Sequence, residues 1–203
     1  MKFLVSWLVS LASLFLFAPP AGAHFKLLEP ASWLVEDRLG DPQKMAPCGG
    51  TSADAGTHTE AITKVQGGSK LHIKIQETVF HPGFYRIALA VNSRAELPPD
   101  PDPITVPTGS GPKSVAGTIH FPPQIPVLAD GLFPHTARVT DPWETDVSLP
   151  NINCPKCTLQ VIQFMAEHGL NKDGDYTYHH CADLQITADS SKPLDTRWGG
   201  PNQ

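Results

Sequence analysis

Helix-type periodicity is scarce in this sequence of 203 residues, and it contains no internal repeat and no heptad pattern. These absences exclude a coiled coil and a repeat architecture, and they leave little room for long helices. Proline, in contrast, is abundant at 21 residues. Short alternating segments separated by proline-rich stretches favour an all-β domain with long ordered loops. We therefore expect an antiparallel β-sandwich of the immunoglobulin-like or fibronectin-like type.

Basic residues are in the minority, since 15 Lys and Arg stand against 20 Asp and Glu, for a formal net charge of −5. Without a positive excess, the chain is a poor match for nucleic acid or for an anionic membrane surface. A neutral polymer or a small cation remains open as a partner.

No segment beyond the first residues is apolar enough to span a membrane. The first residues themselves have the pattern of a secretion signal: Lys2, an apolar run from Phe3 to Phe17, the break at Pro19-Pro20 and the small residues Ala21-Gly22-Ala23. We predict a signal peptide over 1–23 and a secreted or periplasmic chain that begins at His24, with no membrane contact after processing. The alternative is a membrane anchor, which the shortness of the run and its end in prolines oppose.

Four cysteines in an exported chain indicate two disulfides, for which three connectivities are possible. The single CxxC motif, Cys154 to Cys157, has neither a second such motif nor a following helix. This argues against a zinc or redox site.

Alternation and β-branched or aromatic content predict strands at 71–76, 84–91, 143–149, 159–165 and 176–187. Residues 95–113, rich in proline and acidic side chains, are predicted to be an exposed loop within one domain, 24–189. A flexible tail over 190–203 follows. In the last strand, the apolar Leu184 and Ile186 predict a buried face that also carries Tyr178 and His180, with His179 on the opposite face.

A histidine exposed by signal cleavage has unusual chemistry. The free α-amino group and the ring Nδ1 of His24 can both reach one metal ion, and an α-amine has an ordinary pKa of about 8, so it can lose its proton near neutral pH. A second imidazole would complete a planar set of three nitrogens, which suits Cu(II). The alternative is that His24 stands at the cleavage point by chance.

Eight other histidines could supply the second imidazole: His58, His72, His81, His120, His135, His168, His179 and His180. His72 lies at the polar phase of a predicted strand and should be exposed. His81 lies between two predicted strands, and Pro82 and Gly83 stiffen and turn the chain there. Because loops on a rigid scaffold often hold ligands, we favour His81.

Four segments carry a resemblance to a known family. They are His24-Phe25 with Pro30-Ala31-Ser32, the loop around His81, the stretch from Trp143-Glu144-Thr145 to Cys154-Pro155-Lys156-Cys157-Thr158-Leu159-Gln160, and the last strand with Tyr178 and Cys181-Ala182-Asp183-Leu184-x-Ile186. Together they resemble the copper-dependent lytic polysaccharide monooxygenases. The resemblance implies that the chain is a divergent, bacterial-type member. The four segments extend over nearly the whole mature chain, and their order and spacing also resemble those of the family.

The resemblance implies roles for individual residues. His24 would chelate copper through its amine and ring, His81 would give the third nitrogen, and the Tyr178 hydroxyl would lie on the axial side of the metal. These residues would form the catalytic centre. The resemblance also implies the disulfides Cys48–Cys181 and Cys154–Cys157.

The implied activity is oxidative cleavage of chitin, cellulose or a related glycan. It would use a polysaccharide surface as partner and an external electron donor, and we expect a monomer. Trp33, Phe80 and Phe84 are candidates for aromatic contacts to the glycan.

The sequence also departs from the family pattern. Tyr176 stands where relatives have the Gln or Glu that positions the oxygen species, although Gln163 on the neighbouring strand could replace it. Val161 stands where relatives often have Trp, and Trp33 stands where many have Arg. His179-His180 is also unusual. Two alternatives stay open: a copper-binding or copper-carrier protein without oxygenase activity, handing copper to a trafficking partner, and a glycan-binding module without a metal.

Overall fold

The structure is a computed structural model, and it describes residues 22–116, 119–169 and 176–199. The predicted signal peptide therefore lies outside the described residues except for Gly22 and Ala23. Within the described part, no helix is both long enough and apolar enough to cross a membrane.

The described residues form eleven strands. They are β1 (His24–Glu29), β2 (Ile62–Gln66), β3 (Lys70–Val79), β4 (Gly83–Ala90), β5 (Pro103–Thr108), β6 (Gly111–Ala116), β7 (Val127–His135), β8 (Trp143–Ser148), β9 (Cys154–Met165), β10 (His168–Gly169) and β11 (Thr177–Thr187). Two short 3₁₀ segments, Arg94–Glu96 and Thr196–Trp198, are the helical elements of this part of the chain.

Two sheets form the sandwich. One has the order β1-β3-β8 and the other β2-β11-β9-β4-β7. Neighbouring strands are antiparallel, except that β2 pairs with β11 in parallel. The prediction of an all-β sandwich with long loops is confirmed.

The core lies between these two sheets and follows from strand alternation. In β3 the apolar residues Leu71, Ile73 and Ile75 are buried while His72 is exposed, as predicted. Across the two layers, the rings of Phe25 and Tyr85 meet edge to face at 5.3 Å. The predicted inner face of β11 is also buried, since each of its members is at most 7 % exposed: Tyr178, His180, Ala182, Leu184 and Ile186.

Residues 95–113 are not a single exposed loop. They contain β5 and the first half of β6, which pair with each other and, through β6, with β10 in a third sheet. Proline is tolerated here because β5 is an edge strand, where a missing N–H need not break a ladder. The expected exposure of β5 is found, since only Val106 of its side chains is partly covered.

The segment 190–199, where the sequence predicts a flexible tail, is docked against the sandwich. Trp198 is 9 % exposed and belongs to the core cluster. The Asn151 side-chain amide donates to the carbonyls of Asp189, Lys192 and Pro193. Residues 200–203 of the predicted tail lie outside the described residues.

The structure contains both disulfides that the family resemblance implies. Cys48–Cys181 ties the segment after β1 to the middle of β11, and Cys154–Cys157 lies at the start of β9. Two disulfides are compatible with an extracellular chain.

Candidate metal site at the start of β1

The free edge of β1 is held by side chains in place of a neighbouring strand. Gln43 Oε1 accepts from the Phe25 backbone N–H at 3.1 Å, and His180 Nε2 donates to the Phe25 carbonyl at 3.0 Å. Farther along, Glu36 Oε1 accepts from the Leu27 N–H at 3.2 Å. The strand that carries His24 is therefore fixed on both of its edges, by β3 on one side and by these polar groups on the other.

Glu36 and His180 also face each other. His180 Nδ1 lies 3.2 Å from Glu36 Oε1, without hydrogen-bond geometry. Burial raises the pKa of Glu36 to about 7 and lowers the pKa of His180 to about 4. A neutral His180 keeps its proton on Nε2 for the Phe25 carbonyl, so this imidazole holds β1, and its remaining lone pair, on Nδ1, is turned toward Glu36.

His24, the first residue of β1, lies beside the start of β11. Its ring centroid is 5.0 Å from that of Tyr178, at an interplanar angle of 42°. Nε2 lies 3.2 Å from Asp41 Oδ2, while Nδ1 is buried and has no hydrogen-bond partner among the residues that the structure describes. A buried ring nitrogen without a partner is costly, and a metal ion would satisfy it.

The residues before the predicted cleavage point fill the space beside His24. Ala23 is fully buried, and a side-chain carbon placed on Gly22 would lie 3.2 Å from both His24 Cε1 and the Tyr178 hydroxyl. Removal of these residues would open that space and turn the His24 amide nitrogen into a free amine. The aromatic ring of Tyr178 would remain beneath it, with Lys44 Nζ 3.9 Å from its centroid.

His81 lies two residues beyond the end of β3 and is half-buried. Its Nδ1 donates to the Pro82 carbonyl at 2.9 Å, which leaves the lone pair on Nε2. This is the arrangement that metal-binding histidines use, in which one nitrogen donates to a carbonyl and the other binds the metal. Burial lowers the pKa of His81, so its ring is neutral at neutral pH. It stacks on His168, with centroids 5.2 Å apart.

His24 and His81 lie at the same end of the sandwich. In the β1–β3 ladder His24 is opposite Val79, two residues before His81. The direct contacts differ, because His24 meets Tyr178 and Asp41 whereas His81 meets His168. Over the described ranges, no group of three or more His, Cys, Asp or Glu residues is arranged to hold a metal ion.

A buried ion pair lies behind the His81 loop. The side chains of Glu77 and His135 are 2 % and 3 % exposed, and His135 Nε2 donates to Glu77 Oε1 at 3.1 Å. His135 Nδ1 donates to the Phe133 carbonyl at 2.8 Å. Burial lowers the pKa of His135, but these two hydrogen bonds outweigh it and the net shift is upward. With both ring nitrogens donating, His135 has no lone pair for a metal.

Glu77 also receives two further donors on the same oxygen. Gln163 Nε2 donates to Oε1 at 2.9 Å, and the His81 backbone N–H donates at 3.3 Å. Gln163 is fully buried, and it lies directly opposite Tyr178 in the β9–β11 ladder. The amide proposed to replace the missing Gln or Glu therefore donates to Glu77 through Nε2, while its Oε1 is buried and has no hydrogen-bond partner among the described residues.

Tyr176 is turned away from Tyr178. It is 5 % exposed and packs in a separate cluster with Phe84 and Phe164, with its ring 6.3 Å from that of Phe164. Its ring also meets His168 at 5.6 Å. Tyr176 therefore lies on the His81 side of the site, against the histidine that stacks on His81.

The aromatic residues considered for glycan contact lie in different settings. Phe84 is 5 % exposed and stacks on Phe164. The guanidinium of Arg94 lies 3.5 Å from the Trp33 ring centroid, and the His58 ring packs against Trp33 at 4.5 Å. Phe80, next to His81, is partly exposed.

Sequence reasoning missed Asp41, Glu36, Gln43 and Glu77, and it named His135 only as one of eight candidate histidines. Glu77 had a usable signal: it continues the buried phase of Leu71, Ile73 and Ile75 in β3, where a carboxylate is out of place. The others reach the site from loops or strand ends, and no local pattern marks them.

Comparison with known proteins does not add to this description. No protein-family model matches the sequence, and no curated protein is significantly similar to it.

Proposed function

We propose that the chain is an exported copper protein with an N-terminal histidine brace, and that it acts as a lytic polysaccharide monooxygenase on chitin, cellulose or a related glycan. The observation that carries the proposal is the buried Nδ1 of His24, which has no hydrogen-bond partner among the described residues and lies beside the Tyr178 ring. After cleavage behind Ala23, the amine and Nδ1 of His24 and the Nε2 of His81 are the three nitrogen donors. Such a donor set suits Cu(II).

The surrounding residues fit this assignment. β3 and the side chains of Gln43 and His180 hold the backbone next to His24. The Pro82 carbonyl fixes the tautomer of His81. The Tyr178 ring covers one side of the His24 ring, so it would shield the nitrogen donors of His24 from solvent on that side.

When bound, copper supplies one-electron redox chemistry that, with an external reductant and O2 or H2O2, oxidises a C–H bond beside a glycosidic linkage. The chain contributes the nitrogen donors, the aromatic cover and a partly exposed ring, Phe80, beside His81. The net negative charge fits a neutral glycan better than a polyanion.

A copper carrier without oxygenase activity is the second candidate, and two observations favour it. Tyr176 carries a phenol in place of the acid or amide that the family resemblance implies, and its ring packs with Phe84 and Phe164. The Gln163 amide, the proposed replacement, donates a hydrogen bond to Glu77.

The test that separates the two candidates is product analysis. Correctly processed protein, loaded with copper and supplied with ascorbate, is incubated with a panel of chitin, cellulose and related glycans. Oxidised oligosaccharides that are absent without copper support the oxygenase. Tight copper binding with no oxidised product across the panel supports the carrier instead.

A further inference from the structure

Glu77 places a carboxylate at a core position, where a strand ordinarily has an apolar side chain. It occupies the buried phase of β3, and its side chain is 2 % exposed. Oε1 accepts three hydrogen bonds, while Oε2 is buried and has no partner within the described part of the chain. Removal of a charge from water is unfavourable, and an unsatisfied oxygen adds to that cost.

The three donors come from three separate parts of the fold. The His81 N–H belongs to the loop after β3, His135 ends β7, and Gln163 belongs to β9. Gln163 is directly opposite Tyr178, and Glu77 itself is opposite Phe25, the residue after His24. Glu77 thus connects the loop of His81 to the strands that carry Tyr178 and His24.

The backbone on the other side of His81 is also fixed. A side-chain carbon on Gly83 would lie 2.0 Å from the Phe164 carbonyl oxygen, so the chain lies directly against β9 here and has no room to move closer to it. The Pro82 carbonyl sets the His81 ring through Nδ1. Gly83 and the Pro82 carbonyl thus hold the chain after His81 and its ring. The peptide N–H of His81 is held by Glu77.

We propose that Glu77 is a positioning residue for the metal site, which holds the His81 peptide so that Nε2 faces the space beside His24. This inference rests on the proposed copper function. The ion pair with His135 and the hydrogen bond from Gln163 keep the Glu77 oxygen in place. An apolar side chain would pack at this position at lower cost, which is why the retained charge points to a role in the site.

The experiment uses mature, copper-loaded protein and the Glu77→Gln variant. Gln is nearly isosteric but loses the negative charge that holds three donors on one oxygen. The matched control is Asp183→Asn, because Asp183 is also mostly buried and ion-paired, with Arg94, but on the outer side of β11. We expect Glu77→Gln to lower Cu(II) affinity at least about tenfold, as removal of an outer-sphere partner does, and to change the copper EPR spectrum. The control should match the wild type.

A second readout does not depend on copper. In the metal-free protein, the His81 amide hydrogen should exchange faster in Glu77→Gln than in the wild type or in Asp183→Asn. If Glu77→Gln does not fold, Gln163→Leu removes one of the supporting donors and should shift the EPR spectrum in the same direction.

A folded Glu77→Gln protein with wild-type affinity, EPR spectrum and His81 exchange overturns the inference, as does an unchanged spectrum in Gln163→Leu if only that variant folds. The two failures can be told apart. If wild-type mature protein binds no copper, the proposed function is wrong, and His81 exchange still decides whether Glu77 holds this peptide.

Discussion

The ring centroids of His24 and Tyr178 lie 5.0 Å apart, and Nδ1 of His24 is buried there without a hydrogen-bond partner in the described part of the chain. β1 brings His24 from the three-stranded sheet, and β11 brings Tyr178 from the five-stranded sheet. The contact therefore spans both layers of the sandwich at one end. Its chemistry depends on whether the chain ahead of His24 is removed.

Tyr178→Phe tests the axial role of the hydroxyl. We expect copper to stay bound because Tyr178 supplies none of the three nitrogens, and we expect the EPR spectrum to shift because the hydroxyl beside His24 would be lost. The free energy of unfolding should fall by no more than about 1–2 kcal/mol, the usual net value of one hydrogen bond. An EPR spectrum identical to that of the wild type would remove Tyr178 from the metal environment.

His81→Ala tests the third nitrogen donor. We expect the variant to lose one nitrogen from the superhyperfine pattern of the copper EPR spectrum and to bind copper more weakly. His72→Ala is the control, since His72 is an exposed histidine on β3, the strand that precedes His81, and is paired with Asp146 and Glu144. If the two variants give the same spectrum, the third nitrogen must come from elsewhere, and His168, which stacks on His81, is the next residue to replace.

Glu36→Gln tests the side-chain support of β1 through its pH dependence. Burial raises the pKa of Glu36 from 4.5 to about 7, so the folded protein holds a proton that the unfolded chain releases between these pH values. The Glu36 contribution therefore lowers the free energy of unfolding as pH rises through this window. Relative to wild type, Glu36→Gln should gain stability from pH 4.5 to 7, by about 3 kcal/mol in total.

The control for this measurement is Glu60→Gln, a carboxylate whose side chain is 88 % exposed. The free energy of unfolding of Glu60→Gln should differ from that of the wild type by the same amount at every pH. The free energies of unfolding come from denaturant curves. If those of Glu36→Gln and wild type differ by a constant amount from pH 4 to 8, Glu36 is an ordinary ionised carboxylate.

The two disulfides should differ in their effect on stability. Cys48–Cys181 closes a loop of 133 residues, whereas Cys154–Cys157 spans a separation of 3. Because the constraint on the unfolded chain grows with loop length, the double variant Cys48→Ala/Cys181→Ala should lose about 2–4 kcal/mol of unfolding free energy. Cys154→Ala/Cys157→Ala should lose clearly less. Equal losses in thermal or denaturant unfolding would show that local strain and packing dominate.

Strand alternation was enough to predict much of the fold. It gave the core of β3, the inner face of β11 and the all-β class, because a sheet with one buried face must alternate. It underestimated the lengths of β3 and β9, whose ends are polar or contain cysteine. It missed β5 and β6, because proline-rich edge strands with exposed side chains have the composition of a loop.

The candidate site was predictable only in part. His24 follows from the cleavage pattern and Tyr178 from the family resemblance, whereas His81 was chosen from its loop. Asp41, Gln43 and His135 reach the site through tertiary packing, which no short sequence window records. Glu77 could have been found, because it breaks the apolar phase of its strand, and such a break in a regular pattern marks a site under another constraint.

The most direct test of the account is Cu(II) binding by two forms of the same protein. One begins at His24, and the other carries one extra residue, Ala23, before it. The brace predicts that the first form binds one Cu(II) tightly through three nitrogens, and that the second binds far more weakly with an altered EPR spectrum, because its His24 nitrogen is an amide. Equal affinity and identical spectra in the two forms would contradict the account.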